Sequence, residues 1–169
     1  MEISDNIMGS LYSKLIINSC ITSLGAVCGL YLGEMLSIGR IRNIFIEIMR
    51  EAMAVADAMG LQVEDYGGKI NYYKFLQGSG FVSHFKRNAL IRIIGFKHRR
   101  LKSSSLQSLE RGKPTEIDFL NGYIVMNSRA YEVPVPVNDK IVSMIKEIEE
   151  DKRRITLENF DDPFFSKFV

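Results

Sequence analysis

Lys14, Asn18 and Thr22 recur at intervals of four, a spacing that lines up a cation, an amide and a hydroxyl along one side of an α-helix. With Lys14 set at zero, Asn18 falls at roughly 40°, Thr22 at roughly 80°, Gly25 at roughly 20° and Gly29 at roughly 60°. The apolar residues Ile16, Ile17, Ile21, Leu24, Val27 and Cys28 spread over roughly 200° to 340°. An ammonium withdrawn from water releases its proton more readily near neutral pH, so a lysine in such a stripe can donate a proton to an oxygen that gains charge. A partly exposed helix face without any chemistry has the same spacing. Burial separates the two readings, and spacing does not show it.

Two further residues could take part. Glu116 falls in what reads as the first turn of a helix, where an acid favours the helix dipole whatever else it does. Ser104 stands in the run Ser103-Ser104-Ser105, where a serine can simply cap a helix. His84 and His98 have no partners at metal-ligand spacing and read as surface or packing residues, so no metal site is expected. Cys20 and Cys28 are eight residues apart in one helical pattern, about 12 Å along its axis, too far for a disulfide. Together with the absence of a basic n-region in residues 1–5, free thiols predict a reducing, cytoplasmic setting.

The elements that must hold these residues are helical. Apolar positions recur at threes and fours almost throughout, and few runs alternate as strands would. The reading is one all-α domain over residues 1–169, with 1–5 as a boundary segment and 156–169 as an aromatic tail that docks on a surface through Phe160, Phe164, Phe165 and Phe168. Helices are predicted over 11–33, over 41–55 with Ser37 as cap and Gly60 as stop, as a short piece at 72–76, over 82–94, and from Ser103 to near Gly112. Another runs from Thr115, with Asp118 as a capping-box acid, to about Tyr131. Pro134 and Pro136 end it, and a last helix begins near Asn138, with Ile141, Met144, Ile145 and Ile148 on one stripe.

The first helix also has a membrane reading: residues 15–32 carry no charge, and Gly25, Gly29 and Gly33 form a doubled GxxxG pattern. Asn18, Ser19, Thr22 and Ser23 dilute that apolarity and no aromatic belt flanks it. The glycines are better explained by another helix, or a ligand, approaching the backbone closely. No membrane partner is expected.

At 46% apolar and 25% charged residues the chain has the usage of a globular protein, and a net charge of +2 identifies no partner. The charge is unevenly spread, however. Residues 66–109 contain no acid, while Lys69, Lys74, Lys86, Arg87, Arg92, Lys97, Arg99, Arg100 and Lys102 fall inside. Such a stretch can contact nucleic-acid phosphates, form a solvated face, or draw an anionic substrate and cofactor toward a cleft. No aromatic interleaving or nucleic-acid motif supports the first.

Two stretches carry a resemblance. Lys14-Leu15-Ile16-Ile17-Asn18-Ser19-Cys20-Ile21 comes first. Ser103-Ser104-Ser105-Leu106-Gln107 then leads into Gly112-Lys113-Pro114-Thr115-Glu116-Ile117-Asp118 and Leu120-Asn121-Gly122, and Val135-Pro136-Val137-Asn138 follows. In this order and spacing they resemble the C-terminal helical domain of ketopantoate reductase (2-dehydropantoate 2-reductase), which is 6-phosphogluconate dehydrogenase C-terminal-like. The resemblance spans about residues 6–150 and is weakest at 61–102. It implies an NADPH-dependent reduction of a 2-keto acid, 2-dehydropantoate to pantoate on the route to pantothenate and coenzyme A, in a cleft shared with an N-terminal Rossmann domain.

That partner domain has no counterpart in this sequence, since no GxGxxG occurs. An excised domain, inactive alone, is expected rather than a stand-alone relative. The resemblance makes Lys14 the general acid and Asn18, Thr22, Ser104 and Glu116 substrate-binding residues, while Asn121 and Gly122 read as structural. The sequence departs from the family at Thr22 and Leu32, where asparagines often line the site, so the keto acid itself stays open. The alternatives are a non-catalytic helical homodimer, formed through the glycine-lined face or the aromatic tail, and a basic nucleic-acid-binding module.

Overall fold

The computed structural model describes residues 6–168, so the boundary segment assigned to residues 1–5 lies outside the described residues. The elements are α1 (Ile7–Cys28), α2 (Leu32–Ser37), α3 (Gly39–Ala58), α4 (Tyr72–Leu76), α5 (Phe81–Lys97), α6 (Ser104–Glu110), α7 (Asn121–Ala130) and α8 (Pro136–Glu149). Short 3₁₀ turns occupy Ile117–Phe119, Leu157–Asp161 and Pro163–Phe168. Among the described residues the only β pairing is an isolated bridge between Tyr66 and Ile70. The all-α expectation holds.

α1 lies at the centre. Asn6 starts it by accepting the Gly9 N–H at 3.0 Å, and Gly29 ends it in the left-handed region at φ 73°, where a side chain would be strained. The helix expected over 11–33 is therefore two helices, with the chain turning at Gly29 before α2. Ile16, Cys20, Leu24 and Val27 are fully buried, and α3, α6, α8 and the tail pack around them. The apolarity that suggests a membrane is thus answered by the protein's own helices.

α3 buries Ile41, Ile44, Ile48, Ala52 and Val55 completely, on the stripe its period predicts. Its cap is not Ser37. That residue closes α2, its hydroxyl donating back to the Glu34 carbonyl at 2.6 Å, and Ile38 takes the cap position. α8 begins at Pro136 rather than near Asn138, because proline suits the first helical turn, where its missing N–H is not needed.

The predicted start at Thr115 is also different. The chain makes the 3₁₀ turn Ile117–Phe119, and α7 begins only at Asn121. Thr115 donates its hydroxyl to Glu149 at 2.7 Å, and Asp118 pairs with Lys146 at 2.6 Å, so both are drawn to α8 instead of closing a capping box.

The aromatic tail docks as expected. Phe160 and Phe165 are buried with their rings edge to face at 5.3 Å. The Asn159 amide donates to the Val27 carbonyl at 3.0 Å, and Arg40 and Asn43 donate to the Phe160 and Phe168 carbonyls at 3.0 and 2.9 Å. At Val27 the tail thereby occupies a carbonyl that the end of α1 leaves open, while side chains of α3 hold the tail's own carbonyls.

Candidate functional site

The backbone around Lys14 is fixed from both sides. Tyr12 donates its hydroxyl to the Ala52 carbonyl at 2.8 Å and sets its ring against Tyr123 at 6.4 Å. Tyr72 donates to the Ser13 carbonyl at 2.7 Å. Burial pushes both phenols up, so they stay protonated donors. Next to these anchors Lys14 projects outward and is exposed, with no hydrogen bond or ion pair among the described residues. The burial that would mark it as a proton donor is not supplied by the packing of the described residues.

Asn18 is exposed one turn further on. Thr22 is not: it is 9% exposed, and its hydroxyl donates to the Asn18 carbonyl at 2.8 Å. The stripe is thus open over its first half and covered over its second. The cover is α6. A Cβ at Gly25 would meet Ser103 Oγ at 2.7 Å, so the glycine admits a helix and not a ligand. Ser103 also caps α6, accepting the Leu106 N–H at 3.2 Å. Ser104 is therefore relieved of the capping role and lies exposed at the helix start, on the element that packs against α1.

In Thr115-Glu116-Ile117-Asp118, three residues bolt the turn down. Thr115 and Asp118 bind α8, and Ile117 is buried. Glu116 alone of the four keeps an exposed carboxylate without a partner among the described residues. Gly122 packs against the Ile117 carbonyl, where a Cβ would come within 3.1 Å, and so joins this turn to α7. α7 in turn meets α1 at the Tyr12–Tyr123 contact. The structure therefore packs α6 onto α1 and links α7 to it through the Tyr12–Tyr123 ring contact, leaves Lys14, Asn18, Ser104 and Glu116 with uncommitted side chains, and forms no ion pair between Lys14 and Glu116.

Sequence reasoning missed a buried polar network between α3, α7 and α8. Glu51 of α3 is 6% exposed, and its carboxylate accepts the Val137 and Asn138 N–H groups at 2.9 and 2.8 Å and the Asn138 side-chain amide at 2.7 Å. Asn138 accepts in turn from Asn121 at 2.9 Å. Asn121 is structural, as expected, and the Pro136-Val137-Asn138 run was the only visible signal of the rest.

The acid-free stretch covers α4, α5 and residues 98–102. Arg92, Arg99 and Arg100 line a hollow of about 760 Å³ with Tyr31 and Phe96. Arg99 stacks 5.1 Å over the Phe96 ring. His84 is a surface residue bonded to Asn43 at 3.1 Å. Among the described residues no three His, Cys, Asp or Glu side chains converge as metal ligands would.

The family model described as ketopantoate reductase PanE/ApbA C terminal matches residues 6–149. Curated 2-dehydropantoate 2-reductases from Archaeoglobus fulgidus and Pyrococcus horikoshii are 29% and 26% identical over 88% and 86% of this chain. A crystal structure of a PanE/ApbA family ketopantoate reductase from Ralstonia eutropha superposes with a TM-score of 0.70 at 31% identity, over 90% of this chain and 45% of that one. D-mandelate dehydrogenase, solved with NADH and anilino(oxo)acetate, gives the same TM-score at 19% identity, which is a likeness of fold alone. The chain spans about 43% of the length of the curated relatives it matches.

Proposed function

The chain belongs to the ketopantoate reductase family as its C-terminal domain, and on that premise we propose that it is the substrate-binding half of an NADPH-dependent 2-keto acid reductase. 2-Dehydropantoate, reduced to pantoate in pantothenate and coenzyme A biosynthesis, is the substrate to test first. One observation carries the reading. Lys14, Asn18, Ser104 and Glu116 are exposed with side chains that find no partner among the described residues, while their motif neighbours Ser103, Thr115, Ile117 and Asp118 are spent on packing.

The described residues build no βαβ unit, so they do not fit the dinucleotide itself; they fit the substrate beside it. An N-terminal Rossmann domain holds the nicotinamide, which supplies a hydride to C2 when bound. The work left to this chain is on the oxygen. The Lys14 ammonium faces the carbonyl, steadies its developing negative charge and gives it a proton, leaving a neutral amine and the 2-hydroxy acid. Closure of the second domain over α1 supplies the desolvation that α1 lacks in this chain. Asn18 holds the substrate or the lysine, Ser104 the carboxylate end, and Glu116 a substrate hydroxyl. Thr22, whose proton is committed to Asn18, offers only an acceptor lone pair.

The free, buried thiols suit a cytoplasmic enzyme. The test is NADPH oxidation with 2-dehydropantoate, measured for this chain alone and for the chain joined to its natural upstream sequence. The chain alone should be inactive, and Lys14→Ala in the longer protein should cost about 10²–10⁴-fold in kcat. Activity that survives the substitution would remove the general-acid role.

A second reading is association with another copy. Gly25 is covered by Ser103, and Phe160 and Phe165 are buried, while Gly29 is exposed and Phe164 and Phe168 are partly so. The outer side of α5 is available, with Phe81 84%, Phe85 65% and Phe96 69% exposed. Light scattering across a concentration series tests it.

A further inference from the structure

Between α5 and the first three helices lies a cavity of about 190 Å³ whose wall is almost entirely apolar. Ile17 and Ile21 of α1 and Leu32 of α2 form one side, and Ile94 of α5 and Leu101 the other; Tyr66 and His98 bring the few polar atoms. An apolar cavity of about 150 Å³ stays dry and accepts benzene. This one therefore has room for a phenyl ring or a branched chain of similar bulk.

Its position ties it to the Lys14 stripe. Ile17 and Ile21 follow Lys14 by three and seven residues, and Ile21 stands only about 20° from Lys14 around the helix. Ile21 is half-buried, so the wall reaches the surface on the side where Lys14 and Asn18 project. At the rim Leu101 is 45% and Tyr66 37% exposed, which leaves an entrance. The second wall comes from residues 66–101 and faces Leu32, itself apolar and 4% exposed. Leu32 is thus matched by apolar residues opposite it.

We propose that this cavity receives the side chain of the 2-keto acid, and that the preferred substrate carries a branched or aromatic apolar group in place of the hydroxylated one of 2-dehydropantoate. The keto acid rests on the reductase reading; the apolar group rests on the cavity. The ammonium and the cavity then divide the ligand, one taking its polar end and the other its apolar end.

The experiment is methyl-resolved NMR titration of this chain with three probes: toluene, phenylpyruvate and 2-dehydropantoate. Toluene and phenylpyruvate should both move the Ile21, Leu32 and Ile94 methyl signals, and phenylpyruvate should bind at least about tenfold tighter than 2-dehydropantoate, the effect of burying a few methylene equivalents. Ile94→Phe, which fills the cavity, should abolish both effects, and Leu101→Trp at the exposed rim does the same if Ile94→Phe fails to fold. Toluene that leaves those methyl groups unmoved, or 2-dehydropantoate binding as tightly as phenylpyruvate, overturns the proposal. Lys14→Ala should weaken phenylpyruvate and not toluene. Equal binding of phenylpyruvate before and after that substitution, with toluene still bound, counts against the reductase reading and not against the apolar cavity.

Discussion

The Glu51 carboxylate accepts the backbone N–H of Asn138 at 2.8 Å and so closes the N-terminus of α8 with a side chain from α3. Val137 N–H and the Asn138 amide converge on the same carboxylate. Removing it with Glu51→Ala strands three buried donors, which should cost about 3 kcal/mol or more in urea-unfolding free energy. Glu51→Gln, which keeps one acceptor, should cost less.

The same residue makes stability depend on pH. Burial pushes the Glu51 carboxyl above the ordinary glutamate range, and the three N–H donors pull it only part of the way back. The folded chain therefore holds this proton to higher pH than the unfolded chain does. Its stabilising effect is complete below the unfolded value and is lost as pH rises through the folded one. Urea melts from pH 4 to 7 should show the stability advantage of the native protein over Glu51→Gln shrinking as pH rises.

Glu116 and Thr115 are neighbours with different duties. Glu116→Gln should leave thermal stability within about 0.5 kcal/mol, as for an exposed side chain without contacts. Thr115→Ala loses the bond to Glu149 and should cost about 1 kcal/mol. In the longer protein the order should reverse for activity, with Glu116→Gln raising KM for a hydroxylated keto acid and Thr115→Ala leaving it near its starting value.

Gly25 is a packing residue. A Cβ there would lie 2.7 Å from Ser103 Oγ and 3.0 Å from its Cβ, so Gly25→Ala should push α6 off α1 and cost about 1–3 kcal/mol. Calorimetry checks the loss, and the NMR signals of Ser103 to Leu106 should report the displacement.

Cys20 and Cys28 should resist thiol reagents while the protein is folded. Both are buried, and burial pushes the Cys28 thiol up to about 11, so neither presents a thiolate at neutral pH. A colorimetric thiol titration should read near zero in buffer and two equivalents in denaturant.

The amino-acid sequence by itself determined the helices, because burial on one face imposes a period that survives without any tertiary information. The stripe Ile41, Ile44, Ile48, Ala52 and Val55 and the docking phenylalanines are of this kind. It also named the residues of the Lys14 and Glu116 motifs. Tertiary structure decided what those residues are free to do. Thr115 and Asp118 look like caps in one dimension, and only the approach of α8 turns them into anchors and leaves Glu116 uncommitted. Nothing in the sequence marks Glu51 until the N-terminus of α8 meets its carboxylate, and Lys14 is exposed because no helix among the described residues crosses its half of the stripe. Periodicity is local and additive along the chain, whereas partnership and burial depend on which distant segments meet, and that is fixed only when the helices pack.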